Sequence, residues 1–195
     1  MIPTREKAEE LLQDGEMCNP GQWAEHSRAV AMCAEKIAAA CGDMDSQKAY
    51  VLGLLHDIGR KFGVSHMGHI YDGCHYMTEL GYDEAARICL SHSFSIQKLE
   101  DYIGKWDISI EKQEELRKLL GEMEYDDYDR LIQVCDSLAG TEVVDMEERM
   151  ADVKRRYGGY PQDKWDRNLE LKAYFEEKMQ RDIYEVVGRR NRREG

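Results

Sequence analysis

Residues 50–60 read Tyr50-Val51-Leu52-Gly53-Leu54-Leu55-His56-Asp57-Ile58-Gly59-Arg60. An apolar helical segment here leads directly into an imidazole and a carboxylate on adjacent residues. Because a helical turn takes about 3.6 residues, His56 and Asp57 can share one ion only where the helix ends. Gly59 is expected to provide that ending. A nitrogen and an oxygen ligand together suit a divalent transition metal ion, which would also offset the cost of burying the aspartate.

The composition is typical of one soluble, helix-rich globular domain. Of the 195 residues, 42% are hydrophobic and 34% are charged, and only three are prolines. The start of the chain lacks a hydrophobic signal region, and the longest apolar runs fall short of the ~20 residues that a membrane-spanning helix needs. We therefore expect a cytoplasmic protein that does not associate with a membrane.

The charge of the chain limits its partners. A net charge of −12 argues against binding to a nucleic-acid polymer, because such proteins need a basic surface that displaces counterions. A small anionic substrate remains compatible if a metal ion and a few cations reverse the local field. The basic tail, residues 189–195, is interpreted as a solvated terminus, with contact to phosphates or a partner as the alternative.

The cysteines are interpreted as reduced thiols, several of them in the core. They are scattered without any Cys-x-x-Cys pair, which disfavours both a disulfide framework and a zinc site. The six positions are Cys18, Cys33, Cys41, Cys74, Cys89 and Cys135.

Helical periodicity recurs from end to end, and no convincing alternating strand pattern appears. The sequence therefore predicts an all-α fold. Thr4 is expected to cap a first helix that Gly15 stops, and Asn19-Pro20 is expected to open the second. Asp45 or Ser46 is expected to cap the third helix, and Ser109 a later one. Residues 94–106 predict a short helix and a turn. One last helix is predicted from Asp163 to about Val187.

Three histidines and one aspartate fall on apolar helical faces. His26 lies on the inward face of the second predicted helix, and His69 and His92 lie on later apolar stripes. Asp136 lies beside Ile132 among apolar residues and needs a partner there. An inward histidine alone is more often a hydrogen-bonded core residue than a metal ligand, so the whole set decides the interpretation.

Together these residues form the order His26, His56-Asp57 and Asp136 on well-separated helices. This order resembles the HD superfamily of metal-dependent phosphohydrolases, over roughly residues 20–140. The segments His69-Ile70-Tyr71-Asp72-Gly73 and Leu90-Ser91-His92-Ser93 are similar to those of the subgroup with two metals. That subgroup includes bacterial dinucleoside tetraphosphate hydrolases and cyclic-dinucleotide phosphodiesterases.

The resemblance implies two divalent ions, each Fe, Mn, Co, Ni or Zn. It assigns one ion to four residues and the second to two more, with Asp57 bridging both ions. The implied ligands are His26, His56, Asp57 and Asp136 for the first ion and His69 and His92 for the second. His66 is an alternative to His69 but lacks the glycine spacing, and His75 is interpreted as a surface histidine.

Hydrolysis also follows from the physical chemistry of such a site. Two ions about 3.5 to 4 Å apart can hold a hydroxide between them and stabilise charge on phosphoryl oxygens. The predicted catalytic residues are therefore Asp57 together with Arg60 and Lys61, whose cations follow the metal pair and can meet a phosphate oxygen. Many HD proteins carry lysine after His-Asp-x-Gly, so Arg60 departs from the pattern and the choice between the two cations stays open.

These observations predict a single HD domain over residues 1–195, with a metal-binding core at about 20–140. A C-terminal helical extension follows at about 141–188, and it is interpreted as packing on the core, with a lid or a homodimer surface as alternatives. The expected activity is metal-dependent hydrolysis of a nucleotide or dinucleotide phosphoester or phosphoanhydride. The alternatives are a di-iron oxygenase with the same ligands and a non-catalytic module that binds a nucleotide.

Overall fold

A computed structural model describes residues 1–188, and within that range the fold is all-α, as predicted. The basic tail at residues 189–195 lies outside the described part. Short 3-10 helices occur at Ile58–Phe62 and Leu99–Asp101. The α-helices are α1 (Arg5–Cys18), α2 (Trp23–Cys41), α3 (Ser46–Leu55), α4 (Met67–Glu79), α5 (Asp83–Ser91), α6 (Ile110–Glu122), α7 (Asp127–Leu138), α8 (Met146–Tyr157), α9 (Gln162–Met179) and α10 (Ile183–Val187).

Helix α3 is the central element of the described fold. Every residue from Ala49 to Leu55 is buried, so this helix has no solvent-facing side over those residues. A helix that is apolar all round belongs in the middle of a core. Helices α1, α2, α5 and α7 all pack against it. The carboxyl end of α3, where His56 and Asp57 follow, is therefore placed at the centre of the molecule.

Glycines at two crossings allow helices to approach closely. A Cβ atom added at Gly53 would lie 2.9 Å from the Cα atom of Ala31 in α2. A Cβ atom added at Gly59 would lie 2.0 Å from the carbonyl oxygen of His69, and one at Gly73 would lie 3.1 Å from the amide nitrogen of Gly59. At Gly73, therefore, the backbone of the preceding 3-10 helix comes close.

The expected role of Gly59 as the end of the helix was wrong. Helix α3 already ends at Leu55, and Gly59 lies inside the following 3-10 helix. A glycine is required there because the backbone of α4 passes directly over it.

The Gly59→Ala substitution is expected to lower the free energy of unfolding by about 3 kcal/mol, because the added methyl group meets backbone that cannot rotate away. Gly121→Ala is the matched control. It also adds one methyl group, but no atom of another part of the described chain lies within 4 Å of the added Cβ atom. Since alanine favours helix over glycine by roughly 0.5 to 1 kcal/mol, this control should stabilise slightly. Urea unfolding measures the free energy of unfolding of both variants. Equal stability for the two would contradict the close approach of α4 to Gly59.

Helix starts were predicted best where a side chain caps them. The side chains of Thr4 and Asp45 accept hydrogen bonds from backbone amides of α1 and α3, as expected. Helix α1 nevertheless continues past Gly15 to Cys18, because Gly15 packs against the ring of Trp23 and does not end the helix. Helix α2 begins at Trp23 and not at Pro20.

Two further boundaries differ from the prediction. The last predicted helix is divided, since α9 ends at Met179 and Gln180 adopts a left-handed conformation with φ of 53°. A separate short helix, α10, follows. Residues 94–106 contain only the 3-10 helix Leu99–Asp101 and otherwise irregular backbone.

The C-terminal helices pack on the rest of the described chain. Helices α8 and α9 contact α7, and α9 and α10 contact α2. Met150, Leu171 and Phe175 are buried in these contacts. No helix within residues 1–188 combines the length and the apolar character that a membrane crossing requires.

An ion cluster at the start of α7 gives stability a defined pH dependence. Asp127 accepts hydrogen bonds from Lys178, Tyr174 and Arg130. Burial opposes ionisation of Asp127, but the bonds from Lys178 and Tyr174 outweigh it, so the pKa of this carboxyl lies below its ordinary value. A lowered pKa contributes stability above the unfolded pKa of about 4, and that contribution is lost as pH falls through the native pKa.

We expect Asp127→Asn to be roughly 1.5 to 3 kcal/mol less stable than the wild type at pH 7, the range for hydrogen bonds to charged groups. The difference should shrink as pH falls below about 4, where Asp127 of the unfolded chain takes up a proton, and it should be smallest below the lower native pKa. Urea unfolding at several pH values between 7 and 2.5 measures it. A difference that stayed constant with pH would show that the charge of Asp127 is not responsible.

Candidate metal centre

The structure brings the six predicted ligand residues together. Each lies near the end of a helix, which directs side chains from separate elements to one region. The positions are His26 in the first turn of α2, His56 and Asp57 directly after α3, His69 in the first turn of α4, His92 directly after α5 and Asp136 in the last turn of α7.

These residues form two groups that share Asp57. One ligand atom from each of His26, His56 and Asp57 lies within 4.8 Å of the others, and the same holds for Asp57, His69 and His92. In the second group, Oδ1 of Asp57 lies 3.1 Å from Nε2 of His69 and 3.6 Å from Nε2 of His92. The two Nε2 atoms are 3.4 Å apart.

Such separations suit atoms that bind a common ion. Ligands about 2.1 Å from a metal, at angles between octahedral and tetrahedral, lie about 3.0 to 3.4 Å from one another. Asp136 lies next to the first group, with its Oδ1 atom 3.0 Å from Nε2 of His26.

Backbone carbonyl groups fix the tautomers of three histidines. Nδ1 of His56 donates to the carbonyl oxygen of Gly53 at 2.7 Å, and Nδ1 of His92 donates to that of Cys89 at 2.9 Å. Nδ1 of His26 lies 3.0 Å from the carbonyl oxygen of Gly140. Since a carbonyl oxygen can only accept, each Nδ1 carries the hydrogen, and each neutral ring presents the lone pair of Nε2.

The lone pairs are arranged as a metal ion requires. Nε2 of His56 is buried and has no hydrogen-bond partner within the described residues. Nε2 of His26 faces the Asp136 carboxylate, so two lone pairs would oppose each other without a cation, either a proton or a metal ion, between them. An unpartnered buried nitrogen beside a buried carboxylate is costly unless a cation is bound. The residues therefore fit divalent ions.

Burial and charge set the protonation states of the centre. Burial lowers the pKa of His56 to about 4 and also lowers the pKa of His92, which keeps both rings neutral. Burial would raise the pKa of Asp57, but Arg60 and His69 hold it well below the ordinary value. For His26, burial is outweighed by the contact with Asp136, so the pKa of this ring is raised. Neutral imidazoles and ionised carboxylates are the forms that bind metal.

The structure separates the two cations that follow the His-Asp pair. Arg60 lines the cleft above the cluster and donates from Nε to Oδ2 of Asp57 at 2.6 Å. Lys61 points elsewhere, with Nζ 3.1 Å from the hydroxyl of Tyr76. A 3-10 helix turns about 120° per residue, so neighbours cannot both face the cleft. The structure does not bring Lys61 to the centre.

The two remaining histidines also lie apart from the cluster. His66 is the residue before α4 and lines the cleft, where its ring centroid is 5.9 Å from that of Tyr157. It belongs to neither of the two ligand groups in the described residues. His75 lies near the surface, 3.2 Å from a carboxylate oxygen of Glu115.

The cluster forms the floor of a cleft of about 480 Å³. Arg60, Arg149 and Arg156 line this cleft together with Asp57 and Asp136, so cationic side chains outnumber carboxylates there although the protein is net acidic. The rings of Trp23 and Tyr102 also line it. The sequence interpretation missed Arg149; the available signal was a cation on the same helical face of α8 as the buried Met146 and Met150.

The fold and the centre together define an all-α protein with a histidine and aspartate metal site. Residues 23–141 match the model of the HD domain family. The match covers more than half of the chain, and the protein belongs to this family. HD domains are in general metal-dependent phosphohydrolases, and the candidate centre agrees with that activity. Comparisons with curated proteins and with solved structures gave no match.

Proposed function

We propose that this protein hydrolyses a phosphoester or phosphoanhydride bond of a nucleotide or dinucleotide with two divalent metal ions. The observation that carries the proposal is the buried, unpartnered Nε2 atom of His56 beside Asp57, which is shared by both ligand groups. His26, His56, Asp57 and Asp136 would hold one ion, and Asp57 with His69 and His92 would hold the other. When bound, such ions supply Lewis acidity and an activated water.

The remaining cleft residues bind and orient the substrate in this proposal. Arg60 keeps Asp57 ionised and presents its other N–H groups to the cleft, where they can meet a phosphate oxygen. Arg149 and Arg156 add charge from α8. Aromatic walls at Tyr102 and Tyr157 offer stacking surfaces for a planar base. The combination of cations and rings supports a nucleotide over a simple phosphate ester.

The first experiment is elemental mass spectrometry of protein purified without chelator. It is paired with phosphate release from a nucleotide panel, including diadenosine tetraphosphate, with added Mn, Fe, Co or Mg. We expect close to two transition-metal ions per chain and metal-dependent release. Two irons with oxygen consumption and no release would replace the proposal with the oxygenase alternative. Tight nucleotide binding without turnover, whichever metal is added, would replace it with the binding module.

Arg60→Ala is expected to lower kcat/KM by about 10²-fold at saturating metal concentration, the scale for one lost transition-state contact. Lys61→Ala is the adjacent control, since its ammonium faces Tyr76, and its kcat/KM should stay within about twofold of wild type. Steady-state kinetics on the best substrate of the panel compares them. The reverse order of effects would assign the phosphate contact to Lys61.

A further inference from the structure

A smaller inner cavity, of about 120 Å³, opens beside the metal cluster. It lies between the segment that follows α5 and helices α7, α8 and α9. It shares His92 and Asp136 with the main cleft. One water needs at least about 10–15 Å³ of such cavity volume, so the cavity has room for several waters or for one small organic group.

Two residues that line this cavity each carry a buried polar atom with no partner within residues 1–188. The atoms are Oγ of Ser95 and Oε1 of Gln133, whose side chains are 8% and 2% exposed. The Gln133 amide is oriented by its own nitrogen, which donates to the carbonyl oxygens of Ser91 at 3.0 Å and Phe94 at 3.3 Å. Oε1 is therefore fixed as a hydrogen-bond acceptor that needs a donor.

Donors face the same cavity from α9 and the loop before it. Lys164 is buried and donates from Nζ to the carbonyl oxygens of Ser93 at 2.8 Å and Asp101 at 3.1 Å. An ammonium group has three hydrogens, so one remains for a ligand. The hydroxyl of Tyr160 accepts from Nδ2 of Asn168 at 2.8 Å, which leaves its own hydrogen to donate. Acceptors and donors therefore line one small space.

We propose that the inner cavity binds a hydroxylated part of the substrate, such as a ribose, beside the reacting phosphate. A hydroxyl group both donates and accepts, so it can satisfy Gln133 and Lys164 together. Arg149 and Lys164 would also attract a bare oxyanion, but such a group has no hydrogen to donate and would leave Oε1 of Gln133 without a donor. The inference rests on the proposed function in one respect: the phosphate of the same molecule lies at the metal centre.

The test compares two five-carbon phosphates, ribose 5-phosphate and n-pentyl phosphate, with inorganic phosphate as reference. Stopped-flow tryptophan fluorescence of the metal-loaded protein measures binding before turnover. Trp165 can report on the cavity, because its ring centroid lies 5.5 Å from that of Tyr160. We expect ribose 5-phosphate to bind at least about 10-fold more tightly than n-pentyl phosphate, since polar sites reject analogues that leave them unpaired.

Ser95→Ala removes one unpartnered hydroxyl without breaking a hydrogen bond of the free protein. It should weaken ribose 5-phosphate binding by about 10-fold and leave n-pentyl phosphate unchanged. Ser27→Ala is the matched control: its Oγ is also buried and unpartnered, but Ser27 does not line the cavity. Both variants should retain or raise the melting temperature, and Ser27→Ala should bind both probes as the wild type does.

Equal binding of the two five-carbon phosphates, or an unchanged Ser95→Ala variant, would overturn the inference and leave the cavity to water. Sugar discrimination without hydrolysis of any nucleotide would remove the proposed function and retain the sugar site. Hydrolysis of a nucleotide without sugar discrimination would retain the proposed function and remove the sugar site.

Discussion

Asp57→Ala is expected to remove metal from both ligand groups and to lower phosphate release by more than about 10³-fold. Asp57 is the one residue common to the two groups, and it is 4% exposed. Loss of a group that only supports a ligand already costs 10- to 100-fold in metal affinity or activity, so loss of the shared ligand should cost more. Elemental mass spectrometry and the phosphate-release assay measure the two effects on the same preparation.

The control for this substitution is Asp166→Ala on the outer face of α9. Asp166 is exposed and accepts a hydrogen bond from Gln162. Its removal should leave metal content and activity at wild-type levels. If Asp57→Ala kept both ions and its activity, the proposed centre and the phosphohydrolase would both be wrong.

Asp129→Ala is expected to lower the free energy of unfolding by roughly 2 to 4 kcal/mol, because the buried donors that bond to this carboxylate lose their acceptor. Asp129 is fully buried in α7 and pairs with Arg87. It also accepts from the hydroxyl of Ser91 at 2.7 Å and from the amide of Asp126 at 2.8 Å. These bonds join α7 to the end of α5, directly before His92.

Urea unfolding at pH 7 measures this loss. Asp152→Ala is the comparison, because Asp152 pairs with Arg155 and Arg156 at the surface, where such contacts are worth little. We expect its change to stay within about 0.5 kcal/mol. A similar small change for Asp129→Ala would mean that Arg87 finds water or another partner when the carboxylate is gone.

Features that depend on local sequence were predicted well. The all-α fold follows from apolar residues that recur with a period near 3.6, a pattern contained within the sequence of each helix. The starts of α1, α3 and α6 follow from capping side chains at Thr4, Asp45 and Ser109. The glycines were harder, since a glycine that ends a helix and one that admits a crossing helix look alike in sequence. Gly15 and Gly59 are of the second kind.

The residues of the candidate centre also divide into those that the sequence predicted and those that it did not. A motif spread over the chain identified the six residues that the structure brings together, because the order and spacing of histidine and aspartate can be read directly from the sequence. The choice of Arg60 over Lys61 depended on how a 3-10 helix turns. Ser95, Gln133 and Lys164 could not be foreseen, because each reaches the inner cavity through packing between distant segments.

The carbonyl oxygens that hold three of the imidazoles belong to the backbone of Gly53, Cys89 and Gly140. No point mutation can delete a peptide carbonyl while the helix ends keep their shape. Substitutions of neighbouring side chains therefore leave the acceptors that orient His26, His56 and His92 in place. The cleft wall on α8 carries no such protection. Natural divergence or directed evolution can thus alter what the cleft accepts while the ligand geometry beneath it stays constant.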